Sequence, residues 1–172
     1  LGVLREVHCG LLDLVCPRVS ALAVTLEASD WPGEWFEQQV NRFDLIFCAN
    51  ETYEAHSETL TRWQREHGLC LVVTDGSRGS WMIDRQGNRW QEPASKLTQP
   101  VVDTTGAGDA FASAFCAGHL LGLKARRLLR LASWYAGQKV LRAGPRAYPA
   151  QASFMATAYA IEQFEGEGTV NA

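Results

Sequence analysis

The segment DTTGAGD at 103–109 combines residues that can bind a phosphate and move a proton. Gly106 and Gly108 let the backbone adopt unusual torsions and approach a ligand closely. An apolar helical pattern follows at once, so the segment opens a helix whose first N–H groups carry a partial positive charge. Such an anion hole suits a phosphate. Asp109 would compete with that phosphate unless it accepts the proton of a hydroxyl that attacks phosphorus.

Asp109 has a second interpretation, in which it is a first-turn acid that only favours the helix dipole, by about 0.3–1 kcal/mol. That interpretation explains one aspartate, but it does not explain two acids, two glycines and a helix start within seven residues. Other nucleotide motifs fit less well. The sequence has no glycine-rich loop that ends in Gly-Lys-Ser/Thr, as a P-loop does. GAGDAF also has a phenylalanine where a dinucleotide fold has its third glycine or alanine.

Strands and helices alternate along the chain in a pattern that would position this segment. Apolar runs predict strands at 5–10, 21–28, 44–50, 69–76 and 100–105. A β-hairpin is predicted at 80–93, with Gly87 and Asn88 in its turn. Amphipathic or apolar helical patterns predict helices at 32–43, 53–68, 107–121, 124–141 and 150–164.

Buried strands that alternate with helices predict a parallel sheet covered on both faces. In such a sheet, ligands bind beyond the carboxyl ends of the strands. Three polar or glycine-rich segments follow predicted strands, and their sequences are CANETYE, TDGSRG and DTTGAGD. We expect these segments to converge on one edge of the sheet and to form a ligand site there.

Composition narrows the class of protein further. The chain has 172 residues, 47% of them apolar and 20% charged, with a net charge of −3. This charge favours neither nucleic acid nor an anionic membrane as a partner, and the sequence has no apolar run long enough to span a bilayer. The five cysteines are scattered without a CxxC pair. We therefore expect reduced thiols in a cytoplasmic protein, and no cysteine metal site.

DTTGAGDAF resembles the signature of the PfkB family, the ribokinase-like sugar and nucleoside kinases. TDGSRG at 74–79 is similar to the family's threonine-glycine-glycine motif. CAN followed by Glu54 is similar to its Asn/Glu motif, and 131–149 resembles its adenine-side helix and loop. The resemblance covers about residues 5–149. It implies an α/β fold, a three-layer α/β/α sandwich with a mainly parallel sheet, of which this chain would hold the carboxy-terminal portion.

The resemblance also implies a role for particular residues. Asp109 is the expected catalytic base, and the N–H groups of Gly106, Ala107 and Gly108 would stabilise charge on the transferred phosphoryl group. An ATP site would be lined by Thr74, Gly76, Gly79 and Ser133. Thr74 could also be an ordinary strand-end residue.

Two cation sites follow from the same resemblance. Asn50 and Glu54 would organise Mg²⁺ through water. The family spaces this pair by two residues, whereas three lie between them here, so that Glu51 is an alternative to Glu54. Asn50 and Glu54 could equally be solvent-exposed residues at the start of a helix. Asp103 and Thr105, with a loop near Gly144, would hold a monovalent cation such as K⁺. Asp103 could instead be a turn acid that caps Thr105 or Gly106.

The family's substrate-choosing strands, acid, glycines and small β lid have no counterpart in the sequence. We therefore expect residues 1–164 to be the ATP-binding and catalytic portion of a longer kinase, inactive alone, and 165–172 to be a disordered polar tail; a natural short variant is the alternative. The first choice of substrate is a sugar, and a nucleoside is the second. A non-catalytic nucleotide-binding relative is the rival function. The resemblance also allows a homodimer.

Overall fold

The computed structural model describes residues 21–144 and 146–164, with the side chains of 162–164 left aside. The strand predicted at 5–10 and the tail at 165–172 therefore lie outside the described residues, as does Pro145. The chain divides into two compact units. Within the described residues, the first comprises 21–75 and 81–90, and the second comprises 76–80, 91–144 and 146–164.

The first unit is built around strands that run side by side. Strands β1 (Ala23–Leu26), β2 (Leu45–Ala49) and β3 (Cys70–Thr74) are parallel. The order in the sheet is β1-β2-β3-β4-β5, with β4 at Ser80–Ile83 and β5 at Arg89–Glu92. The predictions of the three apolar strands and of the hairpin are therefore confirmed.

Both faces of the central strands are buried, as expected for a parallel sheet in an α/β fold. Ile46 and Cys48 of β2 belong to the core cluster, together with Leu71 and Val73 of β3. The alternate residues Leu45, Phe47, Cys70 and Val72 are buried as well. Because side chains alternate between the faces of a strand, water is excluded from both sides of β2 and β3.

Helix α2 (Asn50–His67) lies against this sheet and begins directly after β2. It starts three residues earlier than predicted, so Asn50 is helical and is not the last residue of the strand predicted at 44–50. Leu60 and Trp63 are buried in the core cluster. The backbone leaves helical geometry at His56 (φ −133°, ψ 25°), where the imidazole ring stacks on Trp31. The helix ends at Gly68, whose φ of 60° lies in the left-handed region that stops helices.

The segment 32–43 was predicted as one amphipathic helix, and this prediction is wrong. It contains the four-residue helix α1 (Glu34–Glu37) and a separate 3₁₀ turn (Val40–Arg42). Gln39 breaks the helical run, with ψ near −9°. Phe36 and Val40 are both fully buried in the core.

The second unit is helical in its described part, apart from its share of the β4–β5 hairpin. It contains α3 (Ala107–Leu120), α4 (Ala125–Val140) and α5 (Gln151–Phe164), close to their predicted bounds. Helices α3 and α4 approach closely at Gly118. A Cβ atom there would lie 3.0 Å from Leu128 and 3.1 Å from Leu131.

Residues 100–105 were predicted to form a strand, but they form none. Val101 and Val102 leave 53% and 60% of their surface exposed. The backbone pairs instead with the end of α4, since the N–H groups of Val102 and Asp103 both donate to the Val140 carbonyl (2.8 and 3.1 Å). The β-branched side chains raise β-propensity, but here the segment finds a helix end in place of a neighbouring strand.

Candidate active site

The glycine turn before α3 has the geometry that the sequence suggested. Gly106 is the residue that precedes the helix, with φ 78° and ψ 9°. This left-handed conformation favours glycine. The Ala110 N–H donates to the Gly106 carbonyl at 2.9 Å, which closes the first turn of the helix. The N–H groups of Gly108 and Asp109 lie inside that turn, where an α-helix offers no acceptor.

The Ala107 N–H has a partner of its own. It donates to the Thr104 carbonyl at 3.1 Å. Of the three N–H groups predicted to face a phosphate, this one is therefore used inside the turn. Gly108 differs, because a Cβ atom built on it would meet nothing within 4 Å. The first turn of α3 is therefore open on the side of Gly108.

Asp109 lies in this first turn and is exposed. Its carboxylate is therefore near the positive end of the helix dipole, as its second interpretation requires. Exposure also leaves the carboxylate accessible to a hydroxyl. The geometry is compatible with both interpretations, and the effect of Asp109 on turnover distinguishes them.

Asp103 ties together the turns on either side of the two long helices. Its Oδ1 accepts the Thr105 N–H at 2.9 Å, and its Oδ2 accepts the Gly144 N–H at 2.8 Å. Hydrogen bonds from Thr105 and Gly144, with the nearby charge of Lys139, lower the pKa of Asp103 to about 2. The interpretation of Asp103 as a turn acid that caps Thr105 therefore describes what its carboxylate does.

The two glycines after β3 differ in their structural need. Gly76 opens a 3₁₀ turn with φ 52°, and a Cβ atom there would meet nothing within 4 Å. Gly79 closes the turn by donating its N–H to the Gly76 carbonyl at 3.2 Å. Its φ is 107°, and a Cβ atom would lie 2.3 Å from the Glu92 carbonyl oxygen. Gly79 is therefore required by the fold itself, whatever it binds.

Thr74 and Asn50 end up at the same edge of the sheet in the first unit. Thr74 is the last residue of β3 and pairs with Ala49, the last residue of β2. Asn50 follows Ala49 directly. Because β2 and β3 are parallel, their carboxyl ends meet at one edge. The start of CANETYE and the first residue of TDGSRG therefore meet there, whereas residues 76–79 and DTTGAGD belong to the second unit.

The unusual spacing of Asn50 and Glu54 is explained by the early start of α2. Residues four apart lie on one face of a helix. The Asn50 amide Nδ2 donates to Glu54 Oε1 at 2.7 Å. Glu51 is exposed in the same first turn. The structure thus pairs Glu54, and not Glu51, with Asn50.

A metal ion would need ligands from elsewhere. Within 21–144 and 146–164, no group of three or more His, Cys, Asp or Glu side chains could hold one. Mg²⁺ keeps several waters and is commonly bound through one or two carboxylates plus phosphates. Asn50 and Glu54 fit an ion held in that way, through water, and do not form a protein cage.

Ser133 lines a cavity of about 270 Å³ in the second unit. Its hydroxyl lies 3.4 Å from that of Ser80. The rest of the lining comes from the end of β5 and the segment after it, from α4 and from α5; it consists of Glu92, Pro93, Ala94, Ser95, Arg130, Trp134, Thr157 and Ile161. Glu92 is held by an ion pair with Arg130 at 2.8 Å. The volume falls just below the range of drug-sized ligand sites.

Sequence reasoning missed Lys139. This side chain in the last turn of α4 is fully buried, and its Nζ donates to the carbonyls of Asp103 (3.2 Å) and Arg142 (3.5 Å). A signal was present in the sequence. Lys139 continues the buried stripe of Leu128 and Ala132 at helical spacing, so its stem had to point inward.

Two remaining expectations concern the cysteines and membranes. Cys48, Cys70 and Cys116 are free thiols, and burial raises the pKa of Cys48 to about 12. Among the helices of the described residues, none is both long and apolar enough to cross a bilayer.

Comparison with known proteins relates the chain to kinases. An acarbose 7(IV)-phosphotransferase of Actinoplanes sp. is 33% identical over 113 residues, which are 63% of this chain and 38% of that protein. An adenosine kinase of Saccharomyces cerevisiae is 27% identical over 134 residues, 78% of this chain and 38% of that protein. The chain thus spans about two fifths of the length of these relatives.

Solved structures show the same fold. A proposed ribokinase II from E. coli, in complex with ATP and Mg²⁺, is similar with a TM-score of 0.59 and 22% identity, over 76% of this chain and 42% of that one. The predicted ribokinase-like α/β fold is confirmed. The sequence model of the pfkB family of carbohydrate kinases matches residues 39–152, well over half of the chain. The chain belongs to the PfkB family of carbohydrate kinases.

Proposed function

We propose that residues 1–164 form the ATP-binding and catalytic portion of a kinase that transfers the γ-phosphoryl group of ATP to a sugar hydroxyl. Membership of the PfkB carbohydrate kinase family supports a kinase. The acarbose phosphotransferase among the relatives supports a sugar as the acceptor. The similar structure solved with ATP and Mg²⁺ supports those cofactors.

The observation that carries the proposal is the open first turn of α3. The left-handed Gly106 starts the helix, no Cβ obstructs the approach to Gly108, and Asp109 is exposed one residue later. Free N–H groups at a helix start stabilise negative charge on a phosphoryl group. A carboxylate within the same turn can accept a proton beside that charge.

The reaction requires one proton acceptor and a positioned phosphate. The hydroxyl oxygen of the acceptor attacks the γ-phosphorus in line, the bond from phosphorus to the β–γ bridging oxygen breaks, and ADP leaves. Asp109 takes the hydroxyl proton. The N–H groups of Gly106 and Gly108 stabilise the charge on the transferred group, and that of Ala107 holds the turn.

The nucleotide and its metal are assigned to the remaining predicted residues. Thr74, Gly76 and Gly79 line the phosphates. Ser133 and its cavity take the adenine, for which about 270 Å³ is a suitable space because a purine is smaller than a drug-sized ligand. Asn50 and Glu54 would hold waters of an Mg²⁺ ion, which would offset the negative charge of the phosphates.

A nucleoside is the second candidate for the acceptor. The adenosine kinase among the relatives favours it over other alcohols. A non-catalytic nucleotide-binding role is the rival from another class. The complete GAGD turn argues against that role, because nucleotide binding alone does not require a carboxylate beside the phosphates.

The decisive experiment compares wild type with Asp109→Asn, both expressed from the complete gene. ADP release is followed with MgATP over a panel of sugars and nucleosides. We expect phosphorylation of a sugar by wild type, and a fall of about 10²-fold or more in turnover for Asp109→Asn. Affinity for a non-hydrolysable ATP analogue, measured by calorimetry, should stay the same or rise slightly because one negative charge is gone.

Glu34→Gln is the matched control, since Glu34 is an exposed first-turn acid of α1. It should leave turnover and affinity unchanged. Near-normal turnover of Asp109→Asn would refute its role as the base. A response to nucleosides alone would favour the second candidate, and nucleotide binding without transfer to any acceptor would favour the non-catalytic role.

A further inference from the structure

Lys139 is a charged side chain held entirely inside the protein. Its exposed fraction is 0%, although it lies in the last turn of α4, one residue before the end of the helix. A buried ammonium is costly unless it is hydrogen-bonded or paired. The oxygens around it must therefore compensate for the water it has lost.

These oxygens belong to the loops on either side of α3 and α4. The Nζ atom donates to the Asp103 carbonyl at 3.2 Å and to the Arg142 carbonyl at 3.5 Å. The negative Asp103 carboxylate is near enough for the charge of Lys139 to lower its pKa. One positive charge thus lies between two backbone carbonyls, close to one carboxylate.

This is the place for which the family resemblance implied a monovalent cation, with Asp103, Thr105 and the loop near Gly144. The described residues do not fit such an ion. The Asp103 carbonyl already faces the ammonium, and both carboxylate oxygens accept N–H groups, from Thr105 and Gly144. A second cation among the same oxygens would meet the charge of Lys139 at short range, where repulsion is strong.

We propose that the Lys139 ammonium acts as a tethered monovalent cation, which makes the loop before α3 independent of K⁺. An ammonium group and K⁺ both carry one positive charge and both bind carbonyl oxygens. A tethered ion has an advantage over a free one, because it need not be captured from solution.

The arrangement reaches the candidate anion hole through the backbone. Lys139 holds the Asp103 carbonyl, while the neighbouring Val140 carbonyl accepts the Asp103 N–H at 3.1 Å. Both peptide groups of Asp103 are thereby fixed to the end of α4. The chain from Asp103 leads directly into the turn at Gly106. The consequence for nucleotide affinity rests on the proposed function, but the effect on the loop does not.

A simpler role is also open to a lysine at this position. Basic residues in the last turn of a helix can hydrogen-bond the free carbonyls there. That role involves only local acceptors such as Arg142. The Asp103 carbonyl is 36 residues away in sequence, and it is the contact that distinguishes the two roles.

The test compares KCl with tetramethylammonium chloride at equal ionic strength, using the 172-residue chain. For wild type we expect the same melting temperature in both salts at every concentration, with or without nucleotide. A bound K⁺ would instead raise the melting temperature with its concentration. A higher melting temperature of the wild type in KCl than in tetramethylammonium chloride would overturn the proposal. This part of the test requires no variant.

Two variants test the site itself. Lys139→Ala removes the ammonium and leaves its space, so its melting temperature should fall in tetramethylammonium and recover in KCl or NH₄Cl. Lys139→Met fills the space without a charge, and neither salt should rescue it. A Lys139→Ala chain that folds but responds to neither cation would overturn the proposal in favour of the local helix-end role.

Nucleotide binding separates this proposal from the proposed function. With an ATP analogue, wild-type affinity should be equal in the two salts, and Lys139→Ala should regain affinity with K⁺. If wild type binds no nucleotide at all, the proposed function fails. The melting experiments would still decide for or against the tethered cation.

Discussion

The Asp103 carboxylate accepts the Gly144 N–H at 2.8 Å and thereby joins the turn before α3 to the turn after α4. Its other oxygen accepts the Thr105 N–H, two residues along the chain. One side chain thus fixes both ends of the helix pair in the second unit. The turn that contains the candidate anion hole is held by contacts outside that turn.

Asp103 should make the stability of the protein depend on acid pH. Its pKa in the folded state is about 2, below the value of about 3.9 for an unfolded aspartate. The stabilisation is therefore complete at neutral pH and is lost as the pH falls from about 4 through 2. Asp103→Asn should flatten this part of the profile and lower the melting temperature at neutral pH, because its amide group would face an N–H donor.

Thermal melts between about pH 6 and about pH 1.5, a range that spans both pKa values, measure this slope. Asp30→Asn, which removes a carboxylate from the 3₁₀ turn Ala28–Asp30 in the other unit, is the matched control and should retain the slope of the wild type. Identical profiles for Asp103→Asn and wild type would show that the two hydrogen bonds contribute nothing to stability.

Gly108→Ala should separate binding from folding. Gly108 is helical and a Cβ atom there meets nothing within 4 Å, so alanine should be tolerated, or stabilise the helix by up to about 1 kcal/mol. The added methyl group would occupy the space proposed for the phosphate. Affinity for an ATP analogue should fall about 10-fold, since overpacking costs about 1–3 kcal/mol.

Gly79→Ala is the contrasting variant. Its Cβ atom would lie 2.3 Å from the Glu92 carbonyl oxygen at a φ of 107°, and such strain costs about 1–3 kcal/mol. The melting temperature should therefore fall by several degrees. Calorimetry and thermal melts on both variants check the pair. Unchanged affinity in Gly108→Ala would remove Gly108 from the nucleotide site.

Glu54→Gln should raise the Mg²⁺ concentration needed for binding of an ATP analogue by about 10-fold. This is a typical effect of changing a residue that contacts the ligands of a metal ion and not the ion itself. Glutamine retains an oxygen for the Asn50 amide but loses the charge. Glu51→Gln is the control. Glu51 is exposed in the same turn, but the Asn50 amide donates its 2.7 Å hydrogen bond to Glu54 and not to Glu51. The reverse pattern would assign the role to Glu51.

Much of the fold was readable because the signals were local and strong. The apolar runs of β2 and β3 predicted buried strands, and all but their last residues are buried. Gly68 and Gly106 were predicted at a helix end and a helix start, and both have positive φ. Two predictions failed. The helix expected over 32–43 ends at Glu37. Val101 and Val102 have no strand to pair with, because the backbone at 102–103 bonds to Val140, a residue far away in sequence.

The sequence by itself determined the family, the glycine turn and the position of Asp109 behind it, because each depends on residues within a few positions of one another. Only the tertiary structure decided which acid pairs with Asn50, since the start of α2 sets that register. It also brought the Lys139 ammonium to the Asp103 carbonyl. Residues 36 positions apart share no local pattern, and only the folding of α4 beside this loop brings them into contact.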